Sequence, residues 1–277
     1  QWNYMINSDK NFIIVVPGRL ESSRLSNKLL LEIGGKSIIT RVLERCIEVI
    51  EKKRLVFCTD EKLLSSKAEE LKVRSIMTRK ECQSGSERIA SITSQLVNIA
   101  NNLSEEADLI DRDLLRKTLI INVQGDQPFI DPNLILQMID FCFKGEDIPL
   151  LTTPIYKLKN EDIHNPNVVK TLINNKKQAI YFSRSAIPHI RGVDKDDWFK
   201  HHTYYGHVGI YGYRADILYN WFNLDQSDLE NNEKLEQLRL IDNGYYYKTF
   251  LTQENHISID TKEQLLEVID WYEKKHA

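Results

Sequence analysis

Two kinds of block alternate along the first half of the chain. Short, mainly apolar runs occur at Phe12–Val16, Arg54–Cys58 and Thr118–Val123. They are too short for helices and rich in β-branched residues, the pattern of strands buried on both faces. Val73–Met77 reads as a further strand. Between the runs the apolar positions recur with helical spacing: in Ser37–Glu51, residues Ile38, Ile39, Val42, Leu43, Cys46, Ile47 and Ile50 share one face. Glu61–Leu71, Ser86–Ala100 and Asp131–Phe143 are predicted helices, the last with Pro132 in its first turn, where proline is favoured. Asn101–Arg116 is polar and predicted exposed or partly helical. Strict alternation of strand and helix predicts an α/β fold: a mixed, mostly parallel sheet with helices on both faces. After residue 150 the pattern loosens. Val168–Ile173, Ala179–Ser183 and Gly206–Tyr213 read as strands, and Ser227–Asp242 and Thr261–Lys275 as helices. No composition break separates a second domain, so residues 11–277 are expected to form a single domain. The first ten residues, "QWNYMINSDK", read as a ragged terminus or a junction to a longer chain.

Composition narrows the partners. The chain has 277 residues, 37 Lys and Arg against 40 Asp and Glu, and a net charge of −3, which gives no basic footprint for nucleic acid. No apolar stretch approaches membrane-spanning length and no signal-peptide core is evident, so a cytoplasmic protein without membrane contact is expected. Cys46, Cys58, Cys82 and Cys142 form no CxxC pair, which fits reduced thiols.

The candidate chemistry lies just beyond the apolar runs. In "VVPGRLESSRLSNKLL", residues 15–30, the first strand opens into a loop with Arg19, Arg24 and Lys28 among small and polar residues, Gly18, Ser22, Ser23, Ser26 and Asn27. In parallel α/β sheets ligands bind in the crevice beyond the carboxyl ends of the strands. The loop has neither GxGxxG nor GxxxxGK[ST], but its glycine and serines let an anion approach and its cations can meet oxyanions. A solvated basic loop is the other reading. "CQSGSERIA" places Ser84 or Ser86 as cap of a helix whose first amides can face an acceptor. "VQGDQP" sets Asp126 past an apolar strand, and "SIDTKEQ" sets Asp260 before a helix that Asp260 or Thr261 can cap. A cationic loop with two such aspartates describes a metal–triphosphate site, since two carboxylates are a typical protein share for Mg²⁺. The adjacent His201 and His202 lack a third ligand at zinc spacing and read as a loop.

The opening stretch resembles the "PARxxSxRLPxKxL" signature of the sugar-activating cytidylyltransferases. "MTRKECQSGSERIA", "NVQGDQPFIDP", "NPNVVK", "YFSRSAIP", "GHVGIYGYRADIL", "LEQLRLIDNG" and "IDTKEQL" follow in that family's order. The match is closest to the 3-deoxy-manno-octulosonate (Kdo) cytidylyltransferase group and runs from residue 15 to about 270. The resemblance implies a nucleotide-diphosphosugar-transferase-like fold with a smaller dimerisation and sugar-binding subdomain, a homodimer, CTP and Mg²⁺. The implied reaction transfers CMP from CTP to the anomeric hydroxyl of Kdo and releases pyrophosphate.

Carried over position by position, the resemblance makes Arg19, Ser23, Arg24, Lys28, Gln83, Ser84 and Gly85 the CTP-binding residues, and Asp126 and Asp260 the metal ligands. It places Gln124, Arg184, His207, Tyr211, Glu236 and Gln237 at the sugar, with Arg184 and His207 the candidate cations for its carboxylate. Arg24, Lys28, Asp126 and Asp260 are the expected catalytic set. Three departures stand out: "PGR" for "PAR", "LSNK" for "LPGK", and Gln127 where the Kdo enzymes usually carry glutamate. Relatives that act on an amino-substituted Kdo can carry glutamine there. An 8-amino-Kdo or sialic-type cytidylyltransferase is therefore the alternative enzyme, and a catalytically silent binding homologue the alternative outside enzymes.

Overall fold

A computed structural model describes residues 10–20, 25–104, 111–253, 258–259 and 261–276. The strands, in chain order, are β1 (Phe12–Gly18), β2 (Glu32–Ile33), β3 (Lys36–Ser37), β4 (Leu55–Thr59), β5 (Arg74–Met77), β6 (Leu119–Val123), β7 (Leu151–Lys157), β8 (Lys170–Ile173), β9 (Gln178–Ser183), β10 (Tyr205–His207), β11 (Ile210–Arg214) and β12 (Tyr247–Leu251). The helices are α1 (Ile38–Ile47), α2 (Lys62–Glu70), α3 (Gly85–Ala90), α4 (Thr93–Ala100), α5 (Arg112–Lys117), α6 (Pro132–Cys142), α7 (Trp198–His201), α8 (Ala215–Tyr219), α9 (Asp228–Glu233), α10 (Leu238–Asp242) and α11 (Lys262–His276).

The chain divides into two compact units. Unit 1 comprises Gln1–Ile148, Gly212–Phe222 and His256–Ala277, and unit 2 comprises Pro149–Tyr211 and Asn223–Asn255. In unit 1, β6, β1, β4 and β5 pair side by side and all parallel, in registers such as Ile14 with Leu55 and Ile14 with Ile121. Every residue of β1, β4 and β6 is buried. This is why their sequences are mainly apolar. Phe12 to Val16 are wholly inaccessible, and each such side chain contributes roughly 1.5–3 kcal/mol over leaving it exposed. α1 buries the five apolar residues Ile38, Ile39, Val42, Leu43 and Cys46, and is capped by Ser37 Oγ, which accepts from Thr40 N–H at 3.2 Å. The four cysteines are buried, and burial pushes the Cys46 and Cys58 thiols up to about 12, so these two thiols are inert.

Unit 2 is built differently. β8 pairs antiparallel with β9 and β10, β12 antiparallel with β9, β10 antiparallel with β7, and β12 parallel with β7. β7 thus meets both β12 and β10, and the five strands close into a ring. The fold is mixed α/β, with the expected parallel pairing realised in unit 1. Antiparallel pairing takes over where the sequence pattern loosens, because short loops can join antiparallel strands while parallel ones need a crossover. Among the described residues no helix is long and apolar enough to cross a membrane.

Several predicted boundaries shift for local reasons. Ser86–Ala100 is two helices broken at Ser91–Ile92, and Ser227–Asp242 is α9 and α10, separated where Lys234 adopts a left-handed φ of 54°. Gly206–Tyr213 is likewise two strands with a break at 208–209.

Candidate functional site

Because β1, β4, β5 and β6 are parallel, their carboxyl ends share one edge of unit 1. Of the residues predicted for the nucleotide, Arg19, Lys28 and the Gln83–Gly85 segment come to that edge. β1 ends at Gly18 and β6 at Val123; the two chains run on so closely that a Cβ on Gly125 would stand 3.0 Å from the Pro17 carbonyl. Only glycine fits comfortably there, which accounts for "QGD" in the sequence. From the loop after β1, Lys28 Nζ reaches Asp126 Oδ2 at 2.9 Å, with the two side chains 12% and 23% exposed. Arg19 Nη1 donates to the Gln83 carbonyl at 3.0 Å and so ties the β1 loop to the segment before α3. That segment is set by a capping box: Ser84 Oγ accepts from Glu87 N–H at 3.1 Å, and Glu87 Oε2 accepts from Gln83 N–H at 3.3 Å. Ser84, not Ser86, is the cap. Gln124 Nε2 donates to Asn122 Oδ1 at 3.3 Å, while Gln127 is buried in unit 1 at 3% exposure.

The Asp126 carbonyl accepts the Ile259 N–H at 3.0 Å, which joins the chain segment before residue 260 to the end of β6. Thr261 and Gln264 satisfy each other's amides, Thr261 Oγ1 at 3.2 Å and Gln264 Oε1 at 3.1 Å. Thr261 therefore fills the capping role at α11 that the sequence left open between it and Asp260. Ser23, Arg24 and Asp260 lie outside the described residues.

An unpredicted ion pair braces the same edge. Arg88, 2% exposed on α3, pairs with Asp60 after β4 at 3.1 Å and also bonds the Thr78 hydroxyl after β5. Removing one partner of a pair this buried costs about 3–5 kcal/mol, because the other charge is stranded.

The predicted sugar residues of unit 2 form a second constellation. His207 ends β10, Tyr211 lies in β11, and Gln237 precedes α10. His207 Nε2 stands 2.7 Å from the Tyr211 hydroxyl and 3.4 Å from Gln237 Nε2. Both partners can donate to that nitrogen, and burial keeps the ring neutral. Burial, with Arg184 adding its charge, lowers His207 to about 4. Among the predicted sugar residues, His207 therefore meets Tyr211 and Gln237 as a neutral imidazole, which leaves Arg184 as the cationic side chain. Phe182 packs edge-on against both His207 and Tyr247, at 5.2 and 5.5 Å between ring centres.

Arg184 follows β9. Its main-chain N–H donates to Glu233 Oε2 at 2.9 Å, its Nε to the Glu233 carbonyl at 2.9 Å, and its Nη1 to the Pro166 carbonyl at 3.2 Å. Lys170 is wholly buried at the start of β8, with Nζ donating to the carbonyls of Asn165 at 2.7 Å and Val168 at 2.6 Å. Burial first, and the Arg184 charge second, lower its ammonium to about 8. Sequence reasoning did not single out Lys170 or Glu233. A lysine inside the apolar run "NVVKTLI" was the available signal for the first, since an unpaired buried lysine is rare. Glu233 sits in "LENNEKLE", which reads as a solvated charged face.

A cytidylyltransferase family model matches residues 13–257, through both units. The chain is 37% identical to 3-deoxy-manno-octulosonate cytidylyltransferase of Porphyromonas gingivalis over 259 residues, which is 93% of this chain and 94% of the relative. It is 34% identical to the protein of the same name from Chlorobaculum tepidum, over 93% of this chain and 96% of that one. A solved structure of CMP:2-keto-3-deoxy-manno-octonic acid synthetase complexed with CTP superposes with a TM-score of 0.76 at 32% identity, covering 96% of this chain and 99% of its own. A 4-diphosphocytidyl-2C-methyl-D-erythritol synthase from Anaerococcus prevotii shares the fold, with a TM-score of 0.55 at 13% identity. With the family model spanning residues 13–257 and relatives 34–37% identical over 93% of its length, the chain belongs to the 3-deoxy-manno-octulosonate cytidylyltransferase family.

Proposed function

We propose that the protein transfers CMP from CTP to the anomeric hydroxyl of 3-deoxy-D-manno-octulosonate, giving CMP-Kdo and pyrophosphate, and that both units work as one cytidylyltransferase domain. The observation that carries the reading is the Lys28–Asp126 pair at the carboxyl ends of two neighbouring parallel strands, with Arg19 fastened to the Gln83 segment beside it. In this reading the hydroxyl attacks the α-phosphorus in line. Arg19, Arg24 and Lys28 hold the phosphates and offset charge on the departing pyrophosphate, while Ser23 and the Gln83–Gly85 segment contact the nucleotide. A partly exposed pair such as Lys28–Asp126 contributes about 1 kcal/mol or less, so phosphate can draw the ammonium away at little cost.

The donor chemistry fits a hard cation: Asp126 presents a carboxylate at the strand end, and no thiol or imidazole cluster competes among the described residues. Asp126 and Asp260 would hold Mg²⁺, which when bound supplies charge neutralisation at the phosphates and a lowered hydroxyl pKa. Unit 2 serves as the sugar-binding subdomain. Arg184 takes the carboxylate, Glu236 and Gln237 bond hydroxyls, Tyr211 and Gln124 line the sugar, and neutral His207 keeps Tyr211 and Gln237 in place. The working form is a cytoplasmic homodimer, which sedimentation tests directly.

Pyrophosphate release from CTP with a panel of 2-keto sugar acids tests the reading. Kdo is expected to be turned over fastest and its 8-amino analogue second; if Gln127 lies near the sugar's far end, its neutral amide can accept either group. A kcat/KM that favours the amino sugar reverses that ranking. Absence of turnover with every acid leaves the silent homologue.

A further inference from the structure

We infer that Glu233 is the positioning residue of the sugar-acid site: it holds Arg184 so that the guanidinium keeps an unpaired edge for the substrate's carboxylate. The inference deepens the proposed function and rests on it.

The observation is how the charges are spent. Glu233 could have paired with the guanidinium directly, carboxylate to fork. Instead its two oxygens take neutral donors, the Ser183 hydroxyl at 2.6 Å and the Arg184 main-chain N–H at 2.9 Å. The guanidinium is fastened by neutral acceptors, the main-chain carbonyls of Glu233 at 2.9 Å and Pro166 at 3.2 Å. Among the described residues Arg184 makes no ion pair. A guanidinium has five N–H donors. Two are committed to carbonyls, which fix its plane without cancelling its charge. The rest stay available for a planar, bidentate anion such as a carboxylate.

Both anchors are themselves pinned. The Pro166 carbonyl belongs to the turn that the buried Lys170 staples through Asn165 and Val168. Glu233 closes α9, and the left-handed Lys234 that follows turns the chain toward Gln237, which meets His207. The Ser183 hydroxyl also accepts the Ser185 N–H at 3.0 Å, which fixes the turn on both sides of Arg184. One carboxylate thus sets the place of Arg184 and the start of the segment that carries Glu236 and Gln237.

The test compares wild type, Glu233→Ala, Glu233→Gln and Ser183→Ala with two sugars, Kdo and its carboxamide analogue, each read as kcat/KM or as an inhibition constant. Wild type is expected to prefer the carboxylate strongly. In Glu233→Ala the KM for Kdo should rise tenfold or more while the KM for CTP stays within twofold, and the preference over the carboxamide should shrink. Glu233→Gln keeps one acceptor oxygen and should recover part of the loss, and Ser183→Ala should lose less than Glu233→Ala. Where Glu233→Ala does not fold, the glutamine and Ser183 variants carry the comparison. Equal losses on both sugars, or an undiminished preference for the carboxylate, overturn the inference while leaving the enzyme reading intact. A wild type that turns over no sugar acid overturns both.

Discussion

At the strand ends of unit 1, Lys28 and Asp126 meet as opposite charges, both partly open to water. In unit 2, His207, Tyr211 and Gln237 meet as neutral groups, with Tyr211 and Gln237 buried and the ring held uncharged. In the proposed reading the two regions solve different problems. A triphosphate and a metal carry so much charge that loosely held, exchangeable counter-charges suffice to bind them. A sugar is recognised by the direction of its hydroxyls, which demands donors and acceptors fixed beforehand and protected from water. Arg184 combines the two: it bears full charge, yet neutral carbonyls hold it in place.

The largest expected effect attacks the exchangeable charge. Asp126→Asn should lower turnover at least a thousandfold, about 4 kcal/mol of barrier, while circular dichroism shows the fold unchanged. A variant within tenfold of wild type would remove Asp126 from the chemistry.

The second prediction tests the neutral region through pH. The folded pKa of His207, about 4, lies below the ordinary 6.5. The unfolded chain therefore binds a proton first as pH falls. Stability from this group is fully present above pH 6.5 and is lost between about 6.5 and about 4, by at most about 3 kcal/mol. Denaturant titrations should show that loss in wild type and a flatter profile in His207→Asn. Identical profiles would mean that the ring is not held neutral.

A smaller effect should separate the regions kinetically. Lys28→Ala should raise the KM for CTP about tenfold, roughly 1.4 kcal/mol, and leave the KM for the sugar acid within twofold. Equal changes in both would blur the division drawn here. The smallest effect concerns Gly18, where an added Cβ would stand 2.6 Å from Phe57 Cζ and 3.1 Å from Leu29 Cδ1. Gly18→Ala should cost about 1 kcal/mol by overpacking, and Phe57→Leu in the same chain should recover it in thermal melts.

The same contrast explains what the sequence disclosed. β1, β4 and β6 were legible because burial on both faces demands mainly apolar runs. β7, "LTTPIYK", escaped because Thr152 and Thr153 look polar, although Thr153 Oγ1 spends its hydrogen bond on the Ile210 carbonyl at 3.1 Å and is buried. β12, with Thr249 buried in the same manner, escaped too. Of the site, Arg19, Lys28 and Asp126 were legible from position after a strand and Gln83 by resemblance, and the structure joins them in two pairs. The unit 2 residues were legible only by resemblance. Their grouping depends on ring closure among five strands and on the left-handed turn at Lys234, neither of which leaves a periodic trace.

The ring of Phe57 also constrains how this chain can have changed over time. Where the family signature has alanine, this chain has Gly18, and the space for that methyl is filled from β4 by Phe57. A lineage moving from alanine to glycine passes through a loosened but tolerable packing, into which a larger residue at position 57 can then grow. The reverse order meets a collision at its first step. The two positions are therefore expected to drift as a pair and in a fixed order, so that among close relatives glycine at 18 accompanies phenylalanine at 57 and alanine accompanies something smaller.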